Sequence, residues 1–242
     1  MGPACDNEET LRKMMENGMN VARFNFSHGS YEEHLGRYNR VVKVRDELKL
    51  PVATLFDSKG PEIRFRLFEG GKVTINDGDL FTLTTKEVLG NNTIGSISYK
   101  NLINDVQIGT SILVNDGLIE LKVEKVYDTD IVCRVINGGV ISDRKAINVP
   151  GVHLSLPFLS DVDRRDLEFA MKTGFDFFAL SFVRCAEDVL EVRRLQKEHN
   201  NTSKLIAKIE SQEGVENLDA IIDVADGIMV ARGDMGDRKS VV

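Results

Sequence analysis

Apolar residues follow a helical period in the first sixty residues of the chain. An apolar stripe from Leu11 to Met15 ends at Gly18, and Asp6 with Glu9 three residues later predicts the N-cap of this helix. The same pattern predicts a β-rich run over 19–26, a helix over 31–48 and a short buried strand over 52–56. The expected buried side of the helix is Leu35, Val41, Val42 and Leu48. Helix and strand therefore alternate in this part of the sequence.

Between residues 60 and 151 the helical period disappears. Short runs rich in β-branched residues follow one another at a spacing of about 8–12 residues, with Asn-Asp-Gly, Asn-Asn and Gly-Gly turn signals between them. The predicted strands cover 72–75, 80–85, 93–99, 111–114, 118–127 and 130–136. These runs predict a compact all-β module in the form of a small barrel.

After Pro157 the alternation of helix and strand resumes. We predict helices over 161–173, 186–199 and 214–224, and strands over 175–182, 205–210 and 228–232. Strands that lie about 25 to 30 residues apart are typical of repeated βα units around a parallel sheet. The sequence thus predicts an α/β domain that is interrupted by an all-β insert.

Composition and charge argue against several classes of function, namely nucleic-acid binding, membrane association and secretion. The 242 residues carry a formal net charge of −7, which gives no general attraction to nucleic acid or anionic membranes. No apolar run approaches the roughly 18 to 20 residues that span a bilayer, and the amino-terminal residues lack the pattern of a secretory signal. The widely spread Cys5, Cys133 and Cys185 fit reduced thiols better than a disulfide framework. We expect a cytoplasmic protein that binds neither nucleic acid nor membranes.

Polar residues fall at the ends of the predicted strands, where parallel α/β folds gather their reactive groups. Arg23, Asn25 and Ser27 alternate with apolar residues, so we expect them to share one face of their strand. Arg23 would suit a phosphate or carboxylate, and the oxygens of Asn25 and Ser27 would suit a cation. The alternative interpretation is a surface arginine beside a half-exposed strand.

The next strand ends in the charged segment 57–64. Asp57 leaves a buried apolar strand and leads into a hinge at Gly60 and Pro61, where an acid can serve simply as a turn former. The dense charges at the start of the all-β module favour the other interpretation, a hinge that faces a ligand.

Two later strands end in acidic residues. Lys208 and Glu210 share one face of a strand whose Ile206 and Ile209 are expected to be buried, and two buried charges must be paired or bind an ion. Glu210 and Asp234 on adjacent strand ends would suit Mg²⁺, with Lys208 beside them to stabilise developing negative charge. The alternative is a buried ion pair between Lys208 and Glu210. The sequence contains no G-x-x-x-x-G-K-[ST] loop, so phosphate chemistry would depend on metal, lysine and arginine.

Four segments, in this order, resemble signature blocks of the pyruvate kinase family: NVARFNFSHG at 20–29, DSKGPEIR at 57–64, IAKIE at 206–210 and VARGD at 230–234. Segments 115–119 and 148–151 resemble further blocks, and the resemblance covers about residues 2 to 236. It implies a partial TIM (β/α)₈ barrel, formed by 1–59 and 152–236, that is interrupted by an inserted β-barrel lid, 60–151. The implied reaction transfers a phosphoryl group from phosphoenolpyruvate to ADP, giving pyruvate and ATP.

The resemblance also implies residue roles. Arg23 would contact the transferring phosphate, and Lys208 would neutralise the phosphoryl group and the enolate. Glu210 and Asp234 would bind Mg²⁺ or Mn²⁺, and the backbone at Gly233 would lie near the substrate carboxylate. The implied K⁺ ligands are Asn25, Ser27, Asp57 and Ser58, and the implied nucleotide-binding residues are Asn25, His28, Arg64 and Lys145.

The sequence departs from the family pattern at both ends. The family has a barrel strand before the segment 2–4 and further strands after Gly236, so we expect this chain to hold five of the eight barrel strands and, alone, to be inactive and poorly soluble. Residues 237–242 lack the family pattern and resemble one reading frame of a sequencing adapter, which leaves an assembly artefact open. The full-length parent is expected to form a homotetramer.

Two other functions remain open. A Mg²⁺-dependent lyase or aldolase of the related phosphoenolpyruvate/pyruvate-binding barrels would also pair a glutamate with an aspartate around its metal, although the all-β insert and segment 57–64 argue against it. A non-catalytic fragment, in which residues 60–151 fold independently, would show a folded insert without forming ATP.

Overall fold

The computed structural model describes residues 1–115 and 117–231. The described residues form two compact units, one made of Met1–Gly60 with Phe158–Ala231 and the other of Pro61–Pro157. No helix in these described ranges is long and apolar enough to cross a membrane.

The bounds of most elements lie within three residues of the predicted ones. The helices are α1 (Glu8–Glu16), α2 (Tyr31–Leu48), α3 (Leu102–Asp105), α4 (Asp161–Thr173), α5 (Ala186–Glu198), α6 (Gln212–Glu216) and α7 (Leu218–Ile222). The strands are β1 (Val21–Asn25), β2 (Ala53–Asp57), β3 (Ile63–Arg64), β4 (Lys72–Ile75), β5 (Leu80–Thr84), β6 (Ile94–Ser96), β7 (Ser111–Val114), β8 (Ile119–Val126), β9 (Asp130–Asn137), β10 (Gly139–Ser142), β11 (Ala146–Asn148), β12 (Phe177–Leu180), β13 (Lys204–Ile209) and β14 (Gly227–Val230). The short elements α3, β3, β10 and β11 were not predicted, and the single helix predicted over 214–224 is divided into α6 and α7.

A parallel sheet forms the centre of the first unit. In the described residues it has five strands in the order β1-β2-β12-β13-β14, and each pairing is parallel. Strands β2 and β12 are neighbours although the whole second unit separates them along the chain. Because the strands run parallel, their carboxyl ends share one edge of the sheet and their amino ends share the other.

Aromatic side chains fill the core between this sheet and its helices. Phe24, Phe56, Phe175 and Phe178 are buried, and the rings of Phe24 and Phe175 meet edge to face with centroids 5.1 Å apart. Burial of each such side chain stabilises the fold by roughly 1.5–3 kcal/mol. In β1 the buried residues alternate with residues on the opposite face of the strand, among them Arg23, as the sequence pattern predicted.

The N-cap of α1 is Asn7 and not the predicted Asp6. The Asn7 side chain accepts a hydrogen bond from the Thr10 N–H at 2.8 Å. Asp6 instead accepts hydrogen bonds from the guanidinium groups of Arg37 and Arg40 on α2. The local pattern predicted that the Asp6 carboxylate caps α1, but this carboxylate instead pairs with two arginines of another helix.

Helix α2 begins and ends where predicted and buries Val41 as predicted, but one expected core residue is exposed. Leu35, expected to be buried, is 40% exposed, whereas the neighbouring His34 is buried. The His34 ring stacks on Phe26 with centroids 4.0 Å apart, and its Nε2–H donates to the His28 carbonyl oxygen at 2.7 Å. Burial lowers the pKa of His34, so the ring stays neutral at pH 7.

The second unit is a closed β-barrel. Its described residues form a seven-stranded sheet in the order β3-β11-β7-β8-β9-β5-β6, and an antiparallel bridge between Phe65 and Ile97 joins the two outer strands. Phe81, Ile112 and Leu121 are among the side chains that fill the barrel. The predicted fold class, α/β with a partial TIM barrel interrupted by an all-β barrel, is therefore confirmed.

Candidate functional site

The carboxyl-end edge of the parallel sheet carries a charged cluster with Lys208 at its centre. Strand β13 alternates buried residues such as Leu205 and Ala207 with residues on its other face, where Lys208 lies. The Lys208 Nζ lies 2.9 Å from Glu210 Oε1 and 3.1 Å from Asp57 Oδ1. The Lys208 side chain is 11% exposed, so two carboxylates rather than bulk water balance its charge.

Asp57 connects Lys208 to the neighbouring strand. It ends β2, is 1% exposed and is the register partner of Asn25 on β1. The Asp57 Oδ2 accepts a hydrogen bond from the Arg23 guanidinium, whereas its Oδ1 faces Lys208 but receives no well-directed hydrogen bond from the described residues. The Arg23 side chain remains 55% exposed, which leaves its guanidinium accessible to a dissolved anion.

The ion pair that we set as the alternative for Lys208 and Glu210 does form, but it is part of this larger cluster. Arg23 likewise is not an isolated surface arginine, because its guanidinium pairs with the buried Asp57. A buried carboxylate that contacts two cations has more than the role of a turn former. The cluster holds equal numbers of positive and negative side chains: Arg23, Lys208, Asp57 and Glu210.

The surroundings keep Lys208 charged. Burial disfavours the ammonium form, but the negative charges of Glu210 and Asp57 outweigh burial and raise the pKa of Lys208 above its ordinary value. An ammonium group held in this way can stabilise negative charge that develops on a bound anion.

Sequence reasoning missed the two residues that follow β12. The buried Ser181 Oγ accepts a hydrogen bond from Lys208 Nζ at 2.7 Å, and the Phe182 N–H donates to Glu210 Oε2 at 2.7 Å. The predicted strand 175–182 included both residues, whereas β12 ends at Leu180. Had that strand end been placed correctly, the rule that polar residues at strand ends carry the chemistry would have indicated Ser181.

The residues expected to hold K⁺ partly come together. Asn25 and Asp57 lie side by side on adjacent strands, and Ser58 follows directly. Ser27 lies beyond the end of β1, in a turn where its N–H donates to Asn25 Oδ1 at 2.9 Å, so it does not continue the strand face as predicted. The donor atoms are carboxylate, amide and hydroxyl oxygens, and one buried Asp57 oxygen lacks a directed hydrogen bond. This set fits a hard cation.

Glu210 is the one expected Mg²⁺ ligand that the structure describes. It is 6% exposed, and its two oxygens contact Lys208 and the Phe182 N–H. Asp234 and Gly233 lie outside the described residues, as do Asp116 of the segment 115–119 and the tail 237–242. Among the described residues, no three His, Cys, Asp or Glu side chains are grouped so that they could hold a metal. A carboxylate such as Glu210 is the ligand type that Mg²⁺ prefers.

The residues expected to bind nucleotide divide between the two units. Asn25 and the exposed His28 belong to the first unit. Arg64 and Lys145 belong to the second, where Lys145 directly precedes β11 and β11 pairs with β3. The Arg64 guanidinium donates through Nε to Glu62 Oε2 at 2.8 Å. Within the barrel, Arg64 and Lys145 therefore lie on adjacent segments.

Comparisons with known proteins agree with one another. The profile of the family described as pyruvate kinase, barrel domain, matches residues 1–238. A pyruvate kinase of Clostridium perfringens is 50% identical over 238 residues, which is 98% of this chain and 50% of that protein. A pyruvate kinase of Staphylococcus aureus is 45% identical over 98% of this chain and 41% of its own length. The crystal structure of a pyruvate kinase from Cryptosporidium parvum matches with a TM-score of 0.89 and 40% identity, over 97% of this chain and 50% of the other.

These matches include both units and the charged cluster around Lys208. The chain spans half or less of the length of these relatives. The profile match over nearly the whole chain shows the family independently of the site geometry. The chain belongs to the pyruvate kinase family.

Proposed function

We propose that this chain carries the phosphoryl-transfer site of an enzyme that converts phosphoenolpyruvate and ADP to pyruvate and ATP. The observation that carries this proposal is the Lys208 ammonium group at the carboxyl-end edge of the sheet. Three oxygen atoms lie within 2.7 to 3.1 Å of its Nζ, from Ser181, Glu210 and Asp57. This is the edge at which barrels of this kind place their reactive groups.

Each charged side chain has a separate role in the proposed reaction. The exposed guanidinium of Arg23 would bind the phosphate group through paired N–H donors. As the phosphorus atom leaves the enol oxygen of phosphoenolpyruvate and bonds to a phosphate oxygen of ADP, an electron pair stays on the enol oxygen. Lys208 would stabilise the negative charge on both the phosphoryl oxygens and this enolate. Protonation of the enolate carbon then gives pyruvate.

Two cations are part of the proposal. Glu210, together with Asp234, would hold Mg²⁺ or Mn²⁺, since oxygen ligands suit both. The K⁺ ligands would come from Asn25, Ser27, Asp57 and Ser58. Such cations, when bound, neutralise phosphoryl oxygens and orient the substrates. The proposed nucleotide contacts are His28 and Asn25 in one unit and Arg64 and Lys145 in the other.

The proposal also covers the location of the protein in the cell and its oligomeric state. The family resemblance supports a cytoplasmic, homotetrameric enzyme, with the 242-residue chain contributing the site described above. In the described residues, β1 and β14 are the two outermost strands of the parallel sheet, each paired on one side only. Because a complete barrel closes with eight strands, we expect the chain on its own to form little or no pyruvate.

A chimera tests the function without depending on the solubility of the isolated chain. Residues 1–238 would replace the matching segment of the Clostridium perfringens relative, and pyruvate would be followed by a coupled dehydrogenase assay. We expect pyruvate formation that requires both phosphoenolpyruvate and ADP and that yields ATP. A folded chimera that forms no ATP would contradict the proposal. Aldol cleavage by the chimera would favour the lyase alternative instead.

A further inference from the structure

The turn that follows β12 contacts both charged side chains at the end of β13. Ser181 contacts the Lys208 ammonium group, and the backbone of Phe182 contacts the Glu210 carboxylate. We propose that Ser181 is a positioning residue, which fixes the Lys208 ammonium group for phosphoryl transfer while the Phe182 N–H fixes the Glu210 carboxylate. This inference rests on the proposed function and deepens it.

The hydrogen bonds around Ser181 have a defined direction. The Ser181 hydroxyl has one proton, which it donates to the Ser58 carbonyl oxygen at 2.7 Å. It therefore offers a lone pair to Lys208, whose Nζ donates to Ser181 Oγ at 2.7 Å. The Ser181 N–H also donates to Ser58 Oγ at 2.9 Å. Two bonds to the same neighbour hold the hydroxyl in one orientation, and Ser181 is 3% exposed, which keeps water from replacing it.

The three contacts of the Lys208 ammonium group differ in length and direction. This difference decides which of its N–H donors a bound anion could take. Glu210 and Ser181 lie at 2.9 and 2.7 Å from Nζ, whereas Asp57 Oδ1 lies at 3.1 Å without a well-directed hydrogen bond. An ammonium group has three N–H donors. Ser181 and Glu210 would thus hold two of the three donors, and the donor near Asp57 is the one that a phosphoryl oxygen could take.

One strained residue and one close approach of the backbone fix the position of Ser181. Phe182 has φ 57°, a left-handed conformation that bulky residues rarely adopt. Gly60 has φ +74°, and a Cβ at this position would lie 2.8 Å from Ser181 Cβ and 2.9 Å from the Ser181 carbonyl oxygen. The Gly60 N–H donates to Asp163 Oδ1 at 3.2 Å, which holds the close approach in place. A strained conformation such as that of Phe182 persists only where the surrounding structure holds it in place.

The test compares Ser181→Ala with a matched serine variant. Ser203 lies in the same unit, and its Oγ donates to the Phe175 carbonyl oxygen at 2.6 Å, so Ser203→Ala also removes one hydroxyl-to-carbonyl bond but makes no change near Lys208. The chimera would be labelled with ¹⁵N-lysine, and the ammonium signal of Lys208 would be assigned by its loss in Lys208→Met. We expect Ser181→Ala to speed proton exchange of this ammonium group about tenfold, because one charged hydrogen bond is lost.

The chimera supplies a second readout. We expect Ser181→Ala to lower kcat about tenfold and to leave the KM for phosphoenolpyruvate within about twofold, since the lost contact positions the group that acts in the transition state. Ser203→Ala should change neither value. An unchanged Lys208 signal together with a kcat equal to that of Ser203→Ala would overturn the inference.

A hydroxyl-retaining variant separates positioning from packing. Ser181→Thr keeps the oxygen but adds a methyl group to a tightly packed turn, so it should lower stability and still preserve the Lys208 ammonium signal. If Ser181→Ala fails to fold, Ser181→Thr decides, and a displaced signal despite the retained hydroxyl would count against the inference. A chimera without activity would refute the proposed function, whereas the Lys208 signal still tests Ser181.

Discussion

The two edges of the parallel sheet carry similar charged residues in different states. At the amino-end edge, Asp226 accepts hydrogen bonds from the Leu205 N–H at 2.8 Å and from Arg193 at 2.6 Å, and it pairs with Lys204 at 3.2 Å. At the carboxyl-end edge, the more deeply buried Asp57 has an oxygen without a directed hydrogen bond from the described residues. The fold supplies directed hydrogen bonds to the Asp226 carboxylate, whereas one Asp57 oxygen has none from the described residues.

Asp176 strengthens this contrast. It also lies at the amino-end edge, and its Oδ2 accepts from the Thr54 N–H at 2.7 Å, from Thr54 Oγ1 at 2.8 Å and from Arg45 at 3.3 Å. These donors connect neighbouring strands and a helix, so the carboxylate serves stability. The Asp57 Oδ1, in contrast, has no directed hydrogen bond from the described residues and retains capacity for a ligand. The difference supports our proposal that the carboxyl-end edge carries the chemistry, while the amino-end edge stabilises the sheet.

Substitution of one lysine at each edge should show the largest difference between the two edges, measured as kcat. Lys208→Met in the chimera should lower kcat about 10³-fold, because a preorganised cation at the transferring group is lost. Lys204→Met is the control on the same strand. Its side chain is 62% exposed and pairs with Asp226 at 3.2 Å, so its loss should change kcat by less than about twofold. Equal effects of the two substitutions would contradict the assignment of the edges.

Glycine substitutions test the packing at the two edges. Gly60→Ala should cost about 3 kcal/mol in the free energy of unfolding, because it adds a clash with Ser181 to the strain of a left-handed φ. Gly18 precedes β1 at the amino-end edge and has φ +97°, but an added Cβ there meets nothing within 4 Å. Gly18→Ala should therefore cost about 1 kcal/mol. Urea unfolding of both variants measures the difference, and equal costs would show that the Gly60 contact relaxes.

Removal of one negative charge at each edge should have a smaller effect. Asp57→Asn leaves Lys208 and Arg23 with one fewer counter-charge in a buried setting, so we expect it to lower the free energy of unfolding by about 2 kcal/mol. Asp226→Asn keeps an oxygen that can accept from the Leu205 N–H, and about 1 kcal/mol is expected. A neutral or stabilising Asp57→Asn would mean that the cluster is strained for function rather than stabilising.

The two edges should also respond to opposite ends of the pH scale. Burial favours the neutral form of Asp226, but the Leu205 N–H and the side chains of Arg193 and Lys204 outweigh burial and lower its pKa. A lowered carboxyl pKa contributes stability above pH 3.8 that is lost as the pH falls through the folded-state value. The raised pKa of Lys208 contributes stability below pH 10.5 that is lost only as the pH rises through its folded-state value.

The free energy of unfolding, measured across a range of pH, tests these two pH dependences. The stability difference between the parent chain and Asp226→Asn should shrink below about pH 4. The difference between the parent chain and Lys208→Met should persist from pH 6 to about pH 10 and shrink above that. A Lys208 contribution that disappears near neutral pH would show that the lysine is not held as an ammonium group.

The sequence predicted the fold better than the contacts within it. Period and turn residues placed the bounds of α2 and α4 correctly and indicated the all-β insert. They could not show that Leu35 is exposed, because ring stacking of His34 on Phe26 decides which side of α2 faces the core. Strands of two to four residues, such as β3 and β11, depend on pairing with distant segments and leave no local signal.

The candidate site was predictable to a similar degree. Lys208, Glu210, Asp57 and Arg23 stood out because charged residues that end apolar strands need partners, and the structure brings these four together. Ser181 gave no such signal, because a neutral serine after an apolar run is common. Its importance comes from contacts with segments more than twenty residues away in the chain, which local pattern does not contain.

The most direct test of the central claim is to locate the bound phosphoryl group. Phosphoenolpyruvate would be titrated, with Mg²⁺ and K⁺ present, into the chimera carrying ¹³Cε-labelled lysines. We expect a saturable shift of the Lys208 signal at the carboxyl-end edge and no shift of the Lys204 signal at the amino-end edge. A shift of Lys204, or binding that leaves Lys208 unchanged, would contradict it.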